Sequence, residues 1–197
     1  MKELKVKLTL TEEVLGTSPA DPDIYERFIA SKAPDAQSTE DEIEAIGVDA
    51  TIAKGMTIFG RNEDGDPIFW DYMIKGFFKD SCKMLRKVPK TKSSKVKAYK
   101  QEIDGLIFVK PRQIPFSLSG EMGVCQRPLR AQTMQGERVS LASSETIPAG
   151  STLEFTVKCM VDEDVELVKE WLEYGEERGL GQWRNSGKGT FVWEEVK

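Results

Sequence analysis

The chain of 197 residues contains no histidine. That absence removes a Ser-His-Asp triad, a Cys-His pair and any imidazole general base, and with them most catalytic zinc sites. Cysteine is scarce. Cys82, Cys125 and Cys159 are odd in number and far apart, which speaks for reduced, inert thiols in a cytoplasmic protein and against a disulfide framework. No apolar run approaches the length of a bilayer span. Strand-like alternation begins within the first residues, so neither a membrane segment nor a signal peptide is expected. What remains is ordinary: 39% hydrophobic and 31% charged residues, the balance of a globular chain. The length suits one domain, 1–197, with room for a large insertion and a core that needs no staples.

Charge is unevenly spread. Ten of the 28 basic residues, but only one of the 33 acidic ones, lie between Lys75 and Lys100, leaving 18 basic and 32 acidic residues elsewhere, a balance of −14. Such a segment is either a solvated basic helix with a lysine loop or a local seat for a polyanion.

Lys2 to Leu10 alternates as a half-buried strand, with Leu4, Val6, Leu8 and Leu10 on one side. Residues 12–55 read as an acidic insertion with two short helices, one starting at Asp21-Pro22 and one at the capping box Ser38–Asp41. Asn62-Glu-Asp-Gly65 marks a hairpin between Met56–Phe59 and Pro67–Trp70. From Phe69 or Trp70 to Lys87 runs an amphipathic helix. Trp70, Ile74, Phe77, Phe78, Ser81 and Leu85 form its apolar stripe, and Lys75, Lys79, Lys83 and Arg86 its cationic side. Lys90–Lys100 reads as a loop or hairpin. Gly105–Phe116 is a strand whose second half Pro111 should place on an edge or outside the sheet. Residues 117–138, with Arg127 and Arg130, carry few core signals. Strands at 137–141 and 152–160 and a second helix over 162–178 follow.

After that helix comes Gly179-Leu-Gly-Gln-Trp-Arg-Asn-Ser-Gly-Lys-Gly189. Two Gly-x-Gly pairs flank five residues. Glycine admits positive φ and lets backbone N–H groups approach a ligand, although it also closes helices routinely. The spacing fails both as a P-loop and as a dinucleotide fingerprint.

This stretch resembles the glycine-rich signature of the repeat-associated mysterious protein (RAMP) superfamily, the RNA-binding subunits and processing endonucleases of CRISPR systems. Lys188 stands where a hydrophobic residue is more usual. The segment Pro67–Arg86, with its Lys75-Gly76 dipeptide, is similar to the start of the first helix in the backbone subunits of CRISPR effector complexes, except that Trp-Asp-Tyr-Met replaces Pro-Gly-Ser-Ser. The resemblance implies an α+β, ferredoxin-like (RRM-like) β-α-β-β-α-β core, with 12–55 as an insertion after the first strand and 117–138 as a thumb hairpin. It implies RNA-backbone contacts by Lys75, Gly179, Gly181, Arg184, Gly187 and Lys188.

The residues themselves leave choices open. Arg127 and Arg130 are either plain surface residues or phosphate contacts. Trp183 either docks on the sheet or stacks on a base. Asp21, Asp23, Asp35, Glu40 and Asp41 are either a solvated acidic face or a metal cluster. The leading expectation is a non-catalytic, cofactor-free and metal-free protein that binds single-stranded RNA. Its partners would be that RNA, further copies of itself head-to-tail, or CRISPR effector subunits, in a bacterial cytoplasm. Two alternatives stand beside it: a virus-encoded, protein-binding inhibitor of bacterial defence on the same fold, and a metal-dependent ribonuclease.

Overall fold

The alternation at the N-terminus is satisfied in a nine-residue strand, β1 (Lys2–Leu10), whose Leu4, Val6, Leu8 and Leu10 are at most 3% exposed. The structure, a computed structural model, describes residues 1–19, 55–133 and 136–196. Both short helices expected in the acidic insertion, and the carboxylates Asp21, Asp23, Asp35, Glu40 and Asp41, lie outside the described residues. The chain divides into two compact units, one of residues 1–14, 60–121 and 147–197 and one of residues 15–59 and 122–146. The second overlaps the two stretches, 12–55 and 117–138, that stand apart in the sequence.

In the second unit the short strands β2 (Val14–Leu15), β3 (Ser18–Pro19) and β4 (Thr57–Ile58) share a sheet with a long hairpin. The first unit then begins the hairpin of β5 (Gly60–Arg61) and β6 (Pro67–Trp70), closed by the expected turn. Asn62 N–H donates to the Asp66 carbonyl at 3.1 Å, and Gly65 sits at φ +86°. Trp70 does not join the following helix. It pairs with Gln113 in the sheet and stands as the N-cap of α1 (Asp71–Leu85). Ladder pairing over 68–70 therefore wins over helical continuation, and the apolar stripe of α1 is Ile74, Phe77, Phe78, Ser81 and Cys82.

Lys90–Lys100 is neither plain loop nor hairpin. It holds a 3-10 turn at Ser93–Lys95 and opens α2 (Tyr99–Leu106). Pro111 also departs from expectation. It interrupts one long strand into β7 (Ile107–Lys110) and β8 (Gln113–Ser117), both paired with β11 (Thr152–Cys159), and β8 lies inside the sheet between β11 and β6. The proline falls in the gap between the two strands, where no ladder N–H is needed. The long hairpin of the second unit is β9 (Gly123–Thr133) with β10 (Gly136–Ile147), antiparallel from Gly123↔Thr146 to Thr133↔Gly136. Within that unit the Glu145 carboxylate accepts the Phe59 N–H at 2.9 Å, and the Thr57 and Ser144 hydroxyls pair at 2.7 Å.

Helix α3 (Asp164–Arg178) and strand β12 (Phe191–Glu195) complete the first unit. Its sheet runs β12-β1-β11-β8-β6-β5, with β7 also on β11 and every pairing antiparallel. The fold is thus α+β, with three α-helices among the described residues, an antiparallel sheet in the first unit, and in the second a sheet that also holds the parallel pair β4 with β10. Helices α1 and α3 meet over the core: Phe78 packs on Trp171 with centroids 5.5 Å apart, and Phe77 meets Phe191 edge-on at 5.9 Å. Gly175 makes this approach possible, since a Cβ there would stand 2.4 Å from Phe77. Each such fully buried aromatic stabilises the fold by about 1.5–3 kcal/mol.

Candidate nucleic-acid interface

The glycine-rich stretch begins where α3 ends. Gly179, Gly181, Gly187 and Gly189 all have positive φ, from +72° to +79°. Two of them are required by the stretch itself. A Cβ on Gly179 would lie 2.6 Å from the Lys188 carbonyl oxygen, and one on Gly189 would lie 2.1 Å from that of Leu180. The Leu180 N–H donates to the Gly189 carbonyl at 2.8 Å, and Leu180 is buried. The two Gly-x-Gly pairs thus zip together as the stem of a loop. Gly187 differs: a Cβ there meets nothing within 4 Å. At the tip, Trp183 is left-handed (φ +61°), half-buried and followed by a 3-10 turn at Arg184–Ser186.

Ion pairs fix this loop on two sides. Lys188 Nζ reaches Glu13 at 2.8 Å and Glu12 at 3.8 Å, and Gly189 N–H donates to the Glu13 carbonyl at 2.8 Å. Arg184 Nη1 donates to Asp80 of α1 at 2.7 Å, and Arg178 Nε reaches the same carboxylate oxygen at 3.2 Å. Arg178 also donates to Asn185 at 2.8 Å. The loop and the basic helix are therefore joined, through an acid that the sequence pattern did not single out.

The cationic side of α1 is less uniform than its spacing suggests. Lys75 Nζ donates to the Asp104 carbonyl at 3.1 Å and lies 5.1 Å from the Phe108 ring centroid. Burial lowers its ammonium pKa, opposed by nearby Asp104. Lys79 pairs with the Asp104 carboxylate at 2.5 Å. Arg86 lies over Tyr99 at 5.2 Å. These three lean toward α2 and β7. Lys83 is exposed and makes no ion pair among the described residues. At about 100° per residue, Asp80 projects roughly 100° from Lys79 and 140° from Lys75. The loop thus docks on one flank of α1 while Lys75 and Lys79 occupy the other.

Between the flanks runs an exposed crest bearing Gly76 and Lys83. Gly76, like Gly105 on α2, is helical, its φ is not positive, and a Cβ there would meet nothing within 4 Å. Glycine in a helix interior costs about 0.8–1 kcal/mol relative to alanine, and nothing in the packing of the described residues requires it.

Arg127 and Arg130 stand on β9 of the second unit. Arg127 is 7% exposed, and burial lowers its guanidinium pKa. Arg130 faces Val139 in the ladder register.

Carboxylates organise the lysine-rich segment too. Glu170 of α3 accepts the Lys92 N–H at 2.7 Å and the Ser93 N–H at 2.9 Å, as well as the Ser93 hydroxyl at 2.5 Å. Ser93 Oγ in turn accepts the Trp171 indole N–H at 2.9 Å. These partners are 77 or 78 residues apart, beyond any local pattern.

No family model matches the chain, and no curated protein sequence matches it. Among solved structures, a chain of the cryo-EM structure of Type III-B Cmr-beta bound to cognate target RNA superposes with a TM-score of 0.55 at 12% identity, over 100% of this chain. In fold, the protein is similar to chains of CRISPR effector complexes. A chain of a Type IV-B CRISPR complex superposes over 99% of this chain and 90% of its own length, with a TM-score of 0.51 and 10% identity. The protein spans 60% of the length of the Cmr-beta chain. No helix among the described residues is long and apolar enough to cross a membrane.

Proposed function

We propose that the chain is a non-catalytic nucleic-acid-binding subunit of the RAMP kind, which holds single-stranded RNA by its phosphates. Reduced to β1, α1, β7/β8, β11, α3 and β12, the first unit reads as a ferredoxin-like core, and the similarity in fold to chains of CRISPR effector complexes supports a place in such an assembly. The partners implied are RNA, neighbouring effector subunits, and further copies packed head-to-tail.

One observation carries the reading. Gly76 leaves a bare strip of helix between a cationic flank and the docked glycine loop, with no packing reason of its own. A strip of that kind lets a sugar-phosphate chain lie against the helix while Lys83 and Arg86 on α1 and the loop tip around Gly187 approach its phosphates. Lys75, Lys79, Arg184 and Lys188 hold the frame through Asp104, Asp80 and Glu13. Phosphate contacts carry no sequence information, so binding should be indifferent to sequence.

An electrophoretic shift with short single-stranded RNA tests the reading. Affinity should fall steeply with salt, and Lys83→Glu with Arg86→Glu should weaken it by about tenfold or more, because each cation turned to an anion removes a phosphate contact. RNA binding that is independent of salt, or untouched by the double variant, would sink the proposal. A second reading, a protein-binding inhibitor of a defence complex, is favoured by the balance of −14 outside residues 75–100. It predicts capture of a purified effector complex by a chain with no RNA affinity.

A further inference from the structure

Away from the α1 crest, the first unit carries a groove of about 620 Å³ between residues 92–97, α2 and the first turn of α3. Val96 and Leu167 supply its apolar lining; Lys95 and Lys97 line it from one segment, and Glu102 and Glu163 from two others. Those four charged side chains make no ion pair among the described residues, although Lys92 and Glu166, which also line the groove, pair at 2.7 Å. Asp164, next to Glu163, has its carboxyl pKa raised first by burial and then by Glu102 and Glu163.

The lysine-bearing side is a built one. The Glu170 carboxylate ties down the Lys92 and Ser93 N–H groups, and Ser93 is buried beneath Trp171. Opposite charges are thus held apart over an apolar lining when closing together would neutralise both. That arrangement suits a ligand with an anionic end, neutral hydrogen-bond donors, and a flat apolar body between. A nucleotide has all three: a phosphate, hydroxyl and exocyclic amino donors, and a base. The volume lies within the range of small-molecule sites, roughly 300–1,000 Å³.

We propose that this groove seats one nucleotide, with its phosphate at Lys95 and Lys97, its base against Val96 and Leu167, and its hydroxyl or amino donors toward Glu102 and Glu163. The nucleotide comes either free from solution or as one residue of an RNA strand; the second source rests on the proposed function, the first does not.

The experiment titrates the full chain with adenosine 5′-monophosphate and, separately, with a labelled single-stranded oligoadenylate. Two variants accompany it: Lys95→Ala with Lys97→Ala, and Glu102→Gln with Glu163→Gln. All four side chains are exposed or half-buried, so both variants should fold. Saturable binding of the mononucleotide that weakens about tenfold in the lysine variant, as expected for loss of charged hydrogen bonds, establishes a seat for the free ligand. Mononucleotide binding that is absent, with oligoadenylate affinity reduced about tenfold by both groove variants, establishes a seat for a strand-borne nucleotide. Neither ligand responding to either variant overturns the inference, as does an effect of the variants confined to capture of a protein partner. Loss of oligoadenylate binding in Lys83→Glu with Arg86→Glu bears on the α1 crest alone. The two proposals therefore fail separately.

Discussion

Replacing Gly76 by alanine should make the protein more stable and a worse RNA binder, a combination that ordinary packing does not produce. The stability gain follows from helix propensity. The position is exposed, within α1, and open around the added methyl. Alanine should therefore add about 0.5–1 kcal/mol, or roughly 1–4 °C in melting temperature for a chain of this size. The affinity loss follows from geometry. If a sugar-phosphate chain lies on the bare strip, one methyl forces it off a helix that cannot yield. Overpacking of that kind costs about 1–3 kcal/mol, a fall of roughly five- to 140-fold. Gly105 provides the control. It is also helical, exposed and open, but on α2, so Gly105→Ala should stabilise without touching affinity. Thermal melts and fluorescence anisotropy of a labelled short RNA, at one fixed salt concentration, give both numbers. If Gly76→Ala binds RNA as tightly as the parent chain, the crest is not the binding surface and the reasoning from Gly76 fails.

Two further predictions concern the loop stem and the core. Gly189→Ala should cost well over 2 kcal/mol, because it adds a 2.1 Å clash with the Leu180 carbonyl to the strain of φ +73°, whereas Gly187→Ala should cost only the left-handed penalty of about 1–2 kcal/mol; equal losses in chemical denaturation would refute the zipped stem. Burial pushes the Cys82 and Cys159 thiols from 9.0 up to about 11. Because the folded values are the raised ones, stability should be undiminished below pH 9 and fall as pH rises toward 11, by roughly 2–3 kcal/mol per thiol. A denaturation series across that window checks it, and a flat profile would contradict the burial.

Much of the first unit is legible in the sequence. The alternation in β1 and β11 and the apolar stripes of α1 and α3 are driven by burial of residues at fixed periods, and period is what a sequence displays. The misjudged elements have non-local causes. Trp70 leaves the helix because Gln113, far along the chain, offers a ladder partner. Lys90–Lys100 folds because its own Ser93 is satisfied by Glu170 and Trp171, both distant in sequence. Pro111 is tolerated because both halves of its strand find the same neighbour, β11.

The candidate site was half legible for a related reason. Cations and glycines advertise themselves by clustering, but where they point is decided by single carboxylates. Asp80 gathers Arg184 and Arg178, Asp104 takes Lys79 on its carboxylate and Lys75 on its backbone carbonyl, and Glu13 gathers Lys188. Each acid converts a nominal ligand contact into part of the scaffold, since a cation already paired in the folded chain must break that pair before it can neutralise a phosphate. On the proposed function, the residues left to meet RNA would be those the acids do not hold. Lys83 is exposed and, among the described residues, Arg86 has only Tyr99 beneath it, while Gly76 and Gly187 have open space where a side chain would be. Two of these four carry no side chain at all, so a search for charged residues alone finds the frame of the site more readily than its contact surface.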